Sequence, residues 1–354
     1  MGPEENAIIP SHRSRLDSGS GFTFVSNALE VPVDEGIRKC AHELAKHFER
    51  EDAPTHRIPG NGPWATRKML LDHRLRCVAR RTGAILYLPS QSATFGTLLR
   101  IAVLRLTSRV PVILLSLQPT SLDRLRSIPR RLRPHAILTP SPKLIDEAER
   151  VGLPAYFAPM GVNIHRFRPV TAQKKLSLRE QYEVREGPVV LHVGHALSGR
   201  NLDWLLDVRP KLGATAVAVF GASRGRDALV ISRLRAGGVK VIDGFVSRIE
   251  ELYQLADCYV FTVEDELSAI SAPLSILEAM ACNLSVVTTR FGGLPQMLEE
   301  APGFTYVSDG EELMGALQKT LIIPPAAITT REMALHYSWD AVARQISEKV
   351  RSVA

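Results

Sequence analysis

Short apolar runs alternate with longer stretches of helical period along the chain from Phe22 onward. Apolar runs bounded by turn residues are typical of buried parallel strands, and apolar positions three and four residues apart indicate helices that cover such strands. The alternation forms two successive series. It predicts an α/β fold in which a β-α-β repeat appears twice.

The apolar runs predict individual strands and helices. The predicted strands are Phe22–Ser26, Ala84–Leu88, Val112–Ser116 and Ala136–Thr139 in the first series, and Val189–Val193, Ala216–Phe220, Lys240–Ile242, Cys258–Thr262 and Ser285–Thr288 in the second. The longer predicted helices are Val33–Arg50, Thr94–Thr107 and Ser338–Val353. The last is amphipathic, because its apolar residues recur every three or four positions.

A proline and a polar stretch between Pro169 and Gly187 separate the two series. The chain of 354 residues is long enough for two domains of ordinary size. We predict a disordered leader over 1–20, an N-terminal domain over 21–170, a C-terminal domain over 171–335 and a terminal helix over 336–354.

Charge is distributed unevenly along the chain. The net charge is +7, with 25 lysines and arginines against 15 acidic residues up to residue 170 and 19 against 22 afterwards. The densest basic run is Arg124–Arg133, which Pro129 breaks into a loop or a broken helix. This run is either an ordinary solvated surface or a contact with an anionic membrane or a phosphate-bearing acceptor. No nucleic-acid-binding motif accompanies it, so we expect no nucleic acid partner.

Several other classes of protein are excluded by the sequence. The four cysteines are far apart, which predicts reduced thiols, and no stretch is long and apolar enough for a membrane span or ordered like a signal peptide. Histidine and acidic residues show no metal-ligand spacing, and no G-x-S-x-G or Walker motif is present. We therefore expect a cytoplasmic, metal-independent protein, with the basic run as its one candidate contact with the inner membrane face.

A helix is predicted within the segment from Ser271 to Asn283, after the strand that ends at Thr262. We predict that Ser271 caps this helix and that Asn283 ends it in the left-handed conformation. The free N–H groups and partial positive charge of a helix start are a usual site for a diphosphate. Glu278 lies one to two turns further on. Its carboxylate either faces a ribose hydroxyl or simply faces solvent or a nearby arginine.

Two loops at strand ends are further candidates for phosphate contacts. Gly194–Asn201 is bounded by glycine and contains Arg200, although a loop of this kind taken alone is more often a surface turn. Gly221–Arg226 resembles the start of a dinucleotide fingerprint but lacks its last glycine, so we discount an oxidoreductase. Gly221 still ends a strand of the same predicted sheet, which keeps it as a candidate nucleotide-site residue.

Taken in order, several stretches resemble the retaining glycosyltransferases of the GT-B fold, specifically glycosyltransferase family 4 (group 1). They are APMGVNIHRFRP (158–169), LHVGHALSGRNLDWLL (191–206), VIDGFVSRIEELYQLADCYVF (241–261), PLSILEAMACNLSVVTTRFGGLPQML (273–298) and the terminal YSWDAVARQI. The resemblance covers the second half of the chain well and the first half by strand order. It implies two Rossmann-like domains that face a cleft, and a last helix that crosses back to the N-domain.

The resemblance also implies which residues form the site. On the nucleotide side they are Gly194, His195, Arg200, Gly221, Leu274, Ser275 and Glu278, of which Arg200 and Glu278 would carry catalysis. On the sugar or acceptor side they are Asn27, Gln118, Asn163, Ile270 and Ser271. The chain departs from the family here, because Ile270 stands where a glutamate usually contacts the donor sugar and Gln118 where histidine is frequent.

The resemblance predicts an enzyme that moves a sugar from a UDP- or GDP-sugar, with UDP favoured, to a hydroxyl of a glycan, lipid or small-molecule acceptor. It implies retention of anomeric configuration, with the leaving diphosphate stabilised by fixed positive groups and no cofactor. Two alternatives stay open. A non-catalytic partner subunit of the same fold is motivated by Ile270 and Gln118, and a sugar-nucleotide epimerase would share the same architecture.

Overall fold

The computed structural model describes residues 21–29, 36–58, 75, 77, 81–91, 94–184, 187–221 and 226–354. Within these residues the chain forms two parallel six-stranded sheets, each packed between helices. The α/β fold predicted from the sequence is therefore confirmed. The predicted leader and most of the Gly221–Arg226 loop lie outside the described residues.

The first sheet has the order β2-β1-β3-β4-β5-β6, and the second has the order β12-β11-β10-β7-β8-β9. The strands are β1 Phe22–Ser26, β2 Thr55–Arg57, β3 Ala84–Leu88, β4 Val112–Leu115, β5 Ala136–Thr139, β6 Ala155–Phe157, β7 Val189–Gly194, β8 Thr215–Phe220, β9 Lys240–Asp243, β10 Cys258–Phe261, β11 Ser285–Thr288 and β12 Phe304–Tyr306. All neighbouring strands run parallel, so each sheet presents its carboxyl strand ends along one edge.

Helices cover both faces of each sheet. They are α1 Gly36–Arg50, α2 Phe95–Ser108, α3 Pro142–Arg150, α4 Ala172–Gln181, α5 Val208–Leu212, α6 Ala228–Ala236, α7 Ile249–Leu255, α8 Leu274–Ala281, α9 Leu294–Met297, α10 Gly310–Thr320, α11 Thr330–Leu335 and α12 Trp339–Val353. Because the central strands are buried on both faces, they consist almost entirely of apolar residues. We call the sheet of β1–β6 with its helices the first lobe, and the sheet of β7–β12 with its helices the second lobe.

The last helix leaves the second lobe and packs in the core of the first. The side chains of Trp339, Val342, Ile346 and Val350 are buried in one cluster with β1 and α1. The ring nitrogen Nδ1 of His47 on α1 lies 2.6 Å from the carboxylate of Asp340. The amphipathic helix predicted at the chain end is thus present, and its apolar face joins the two lobes.

The predicted strands agree with the structure to within one residue at each end, whereas the three-residue strands β2, β6 and β12 were not predicted. The predicted cap of α8 is wrong, because this helix begins at Leu274 after Pro273 and has no side-chain cap. Ser271 instead donates its backbone N–H to the carbonyl of Leu117 in the first lobe, at 2.8 Å. Asn283 has φ 59° and ends the helix as predicted.

No helix among the described residues is long and apolar enough to span a bilayer.

Candidate active site

A cavity of about 330 Å³ lies between the lobes, at the carboxyl strand ends of the second sheet. Its second-lobe wall comes from the ends of β7 and β8, the loop after β9, and residues 268–278. Its first-lobe wall comes from the start of α1 and from Gln118, which follows β4. Clefts outside the carboxyl ends of parallel strands are where open α/β sheets bind ligands. Its volume lies within the range of small-molecule sites, about 300–1,000 Å³.

Arg200 is the main fixed cation of this cavity. It lies in the turn after β7, is 3% exposed, and donates from its guanidinium to the carbonyl of Ser268. Burial lowers the pKa of Arg200 to about 10, which leaves it charged at neutral pH. A Cβ atom at Gly194 would lie only 2.6 Å from the Arg200 Nη1 atom, so the glycine at the end of β7 makes room for the guanidinium.

His192 supports the floor of the cavity from inside β7. Its side chain is fully buried, and its Nδ1 atom lies 3.1 Å from the carbonyl oxygen of Val260 on the neighbouring strand. Burial, with a smaller contribution from the nearby charge of Arg200, lowers the pKa of His192 to about 3. The imidazole of His192 is therefore neutral. His195, three residues further along the chain, is the histidine that lines the cavity.

The start of α8 faces the same cavity. Pro273, Leu274 and Ser275 line it, and no side chain caps the first turn. The side chain of Ser275 is hydrogen-bonded to the phenol of Tyr259, which donates to the carbonyl of Val193 at 3.2 Å. The first N–H groups of a helix have no intrahelical acceptor, and they carry a partial positive charge. The Leu274 and Ser275 amides therefore stay candidates for an anion contact, as predicted from the sequence.

Glu278 brings a carboxylate to the cavity from one turn further along α8. It is 5% exposed, and its Oε2 atom accepts a hydrogen bond of 2.9 Å from the phenol of Tyr253. Its Oε1 atom lies 3.4 Å from the Lys39 ammonium on α1 of the first lobe. Burial first, and the Glu278 charge second, raise the pKa of Tyr253 well above its ordinary value, so the phenol stays a donor. The Glu278 carboxylate therefore has two partners, a phenol of the second lobe and a lysine of the first lobe.

Two of the residues predicted on the sugar or acceptor side line the cavity, namely Gln118 and Ile270. The Gln118 amide donates to the carbonyl of Ala269 at 3.3 Å, across the two lobes. Ile270 is 8% exposed and packs against the start of α1, where a Cβ atom at Gly36 would lie 3.3 Å from its Cδ1 atom. An apolar contact between the lobes thus occupies the place where the family resemblance led us to expect a sugar-binding glutamate.

The other three residues predicted on that side do not line the cavity. Asn27 is buried, and its Oδ1 atom accepts the backbone N–H of Ser90 at 2.9 Å. The Oδ1 atom of Asn163 accepts the backbone N–H groups of two following residues, as an Asx turn does. Ser271 is fully buried, and its backbone N–H donates to the carbonyl of Leu117 in the first lobe. None of the three is among the residues that line the cavity.

Lys39 and Phe245 line the cavity although sequence reasoning did not identify them. Phe245 follows Gly244, whose φ of 127° turns the chain after β9, and its ring is 65% exposed. The exposed aromatic ring at a strand end was the available signal, and it lies inside the stretch 241–261 that carries the family resemblance. Lys39 gave no such signal, because its proximity to Glu278 depends on how the two lobes meet.

Among the residues that the structure describes, no three histidine, cysteine, aspartate or glutamate side chains come together as a metal site. Among the described residues, the lysine and arginine side chains that line the cavity are Lys39, Arg166 and Arg200. Metal independence stays a prediction from the sequence.

Known proteins share this architecture. Residues 187–322, which form most of the second lobe, match the family Glycosyl transferases group 1. The resemblance to group 1 glycosyltransferases is confirmed. The chain is also similar to sulfoquinovosyl transferase SQD2 of Arabidopsis thaliana, with 28% identity over 208 residues. These are 55% of this chain and 39% of that protein, so the chain matches well under two thirds of its relative's length.

Solved structures of glycosyltransferases extend the similarity to both lobes. Anabaena HepE in complex with UDP-glucose superposes with a TM-score of 0.68 at 17% identity, over 94% of this chain and 99% of that one. A glycosyltransferase from Rickettsia africae gives a TM-score of 0.74 at 14% identity, over 94% and 98% of the two chains. At these identities the likeness establishes the fold. The GT-B architecture implied by the group 1 resemblance is confirmed, with two Rossmann-like sheets on either side of a cleft.

Proposed function

We propose that this chain is a glycosyltransferase that takes a sugar from a nucleoside-diphosphate sugar, with UDP as the favoured nucleotide. The observation that carries the proposal is the meeting of three features around one cavity: the Arg200 guanidinium, the uncapped start of α8 and the Glu278 carboxylate. A guanidinium and free N–H groups suit a diphosphate, and a carboxylate suits ribose hydroxyls. The UDP-glucose held by Anabaena HepE, which shares the fold, supports UDP as the nucleotide.

The donor is oriented by the second lobe in this proposal. Its diphosphate lies between Arg200 and the amides of Leu274 and Ser275, with His195 beside it. Its ribose hydroxyls donate to Glu278, whose carboxylate is held in place by Tyr253. The base reaches the exposed ring of Phe245, on which it can stack.

The chemical step then depends on stabilising the leaving group. As the bond between the anomeric carbon and the diphosphate oxygen breaks, negative charge grows on the diphosphate, where Arg200 and the α8 dipole are already aimed at it. We propose that the acceptor hydroxyl attacks from the same face and that its proton passes to the departing phosphate oxygen. The configuration of the sugar is then retained, and no protein side chain has to act as a base.

The proposal is tested by incubating the protein with single UDP- and GDP-sugars and a pool of acceptors, while nucleoside diphosphate release is followed. We expect release with at least one UDP-sugar and only when an acceptor is present. Conversion of the sugar nucleotide without an acceptor would favour the epimerase. Tight UDP binding in calorimetry without release from any donor would favour the non-catalytic subunit, for which the apolar Ile270 contact is the structural argument.

Lys39 gives a sharper test, because it belongs to the first lobe and was not foreseen from the sequence. In the Lys39→Met variant, Glu278 loses the cation 3.4 Å away and the cavity loses a positive charge. Since Lys39 is partly exposed, we expect UDP affinity to fall about fivefold or more rather than to vanish. Lys46→Met, at an exposed position on the same helix, is the matched control. Equal affinity of both variants in calorimetric titrations would remove Lys39 from the site.

A further inference from the structure

The outward face of α2 is apolar where the exposed face of a helix is normally polar. Phe95 is 68% exposed, Leu99 42% and Leu106 62%, and their spacing of four and seven residues places them in one stripe. The opposite face of the helix is already buried, with Leu98, Ile101 and Leu104 in the core of the first lobe. The stripe therefore does not pack in the core of the first lobe, and it extends over about three turns of the helix.

Arginines flank this stripe. Arg109 ends α2 and is exposed, and the turn Arg130–Leu132 packs beside the helix, where the Arg105 guanidinium donates to the carbonyl of Arg131 at 3.2 Å. The side chains of Arg109, Arg130 and Arg131 are exposed and make no ion pair or hydrogen bond with the described residues. Arg133 differs, because its guanidinium donates to the carbonyl of Ile128 at 2.8 Å and braces the turn. Only part of the basic run Arg124–Arg133 is therefore available to a partner.

We propose that this surface docks the first lobe onto an anionic lipid bilayer. We call it the α2 face, and define it by Phe95, Leu99, Leu106, Arg109, Arg130 and Arg131. Apolar side chains on one helix face with arginines at its margins match the two halves of a bilayer surface, since the apolar groups enter the acyl boundary while guanidiniums stay with phosphates. The exposed guanidiniums of Arg109, Arg130 and Arg131 complement a layer of anionic headgroups, which favours a lipid surface as the occupant.

The orientation of α2 relates this face to the cavity. The helix follows β3, so Phe95 lies at the edge of the first sheet where its strands end at the cleft, and Arg109 lies at the far edge. Docking would thus place the mouth of the cleft beside the bilayer. The inference does not rest on the proposed sugar transfer, because it depends only on the exposed residues of the first lobe.

Sedimentation with lipid vesicles tests the proposal. The full chain is mixed with vesicles of phosphatidylcholine alone or of phosphatidylcholine with phosphatidylglycerol. We expect binding to the anionic vesicles only, weakened by salt. The double variant Phe95→Gln/Leu106→Gln should lose most of this binding, and each of Arg130→Glu and Arg131→Glu should lower the partition coefficient about fivefold or more. Thermal unfolding should be unchanged, because every substituted side chain is exposed.

Matched controls come from the second lobe. Leu229 and Ile322 are 79% and 81% exposed, so Leu229→Gln/Ile322→Gln removes as much exposed apolar surface elsewhere, and Arg209→Glu reverses an exposed charge there. Absence of vesicle binding, or equal losses in the controls, would overturn the proposal. Self-association in lipid-free solution that Phe95→Gln/Leu106→Gln abolishes would also overturn it, because the face would then belong to a contact between copies of this chain.

Discussion

At the scale of single residues, the site depends on a buried imidazole that is kept neutral. His192 lies in β7 directly beneath Gly194 and Arg200, and burial lowers its pKa to about 3 from the ordinary 6.5. A positive charge on His192 would repel the Arg200 guanidinium. A neutral ring therefore adds no further positive charge next to the Arg200 guanidinium.

This buried histidine predicts a pH dependence of stability. Between about pH 6.5 and 3 the unfolded chain binds a proton at His192 that the folded chain does not bind, so acidification favours unfolding. We expect the midpoint of thermal unfolding to fall over this range, and to fall less in His192→Asn, whose amide can still donate to Val260. His135→Asn, at an exposed position, serves as control and should follow the wild type. Parallel curves for all three proteins would show that another group causes the acid sensitivity.

Site residues could be predicted from the sequence where they belong to a motif that is continuous along the chain. Gly194 ends β7 and Arg200 lies in the turn that follows it, whereas Leu274 and Glu278 belong to α8, the helix after β10, and all four line the cavity. Lys39 could not be predicted, because nothing in its neighbourhood along the chain indicates that it meets a carboxylate 239 positions away. Contacts between lobes depend on their relative placement, which no local pattern records.

At the scale of elements, α12 is the piece that ties the second lobe to the first. Its first residue, Trp339, is 4% exposed and packs directly on Gly161, in the segment that leads out of the first lobe. The period of its apolar residues predicted this helix from the sequence. The three-residue strands β2, β6 and β12 escaped prediction for the opposite reason, because a segment so short cannot display a period.

Gly161→Ala tests how tightly α12 is seated. A Cβ atom at this position would lie 2.6 Å from the Trp339 ring and 3.1 Å from its Cα atom, so the start of the helix would have to shift. We expect a loss of stability of about 1–3 kcal/mol, seen as a lower midpoint in urea unfolding. Gly315→Ala is the control, since this exposed glycine of α10 has open space around it and should gain about 0.5–1 kcal/mol. Unchanged stability in Gly161→Ala would mean that the Trp339 contact is loose.

At the scale of the whole molecule, the two lobes meet through a small set of contacts around the cavity. The backbone of Ser271 bonds to Leu117, Ile270 packs on Gly36, and Lys39 approaches Glu278. Arg200 and Glu278, which we propose to bind the donor, both belong to the second lobe, so donor binding and closure of the cleft can be separated by substitution.

Gly293 is the position where that separation can be made. It lies just before α9, and a Cβ atom there would collide with the Pro140 carbonyl of the first lobe and lie 3.2 Å from the Phe157 ring. Its φ of −87° suits any residue, so the effect of Gly293→Ala is steric and falls on the lobe contact alone. We expect a larger radius of gyration in small-angle X-ray scattering and slower nucleotide release from the donor sugar. UDP affinity should stay close to that of the wild type, because Arg200 and Glu278, which we propose to hold the nucleotide, are untouched. If the radius of gyration and the release rate match those of Gly315→Ala, closure of the lobes at this contact is not part of the reaction.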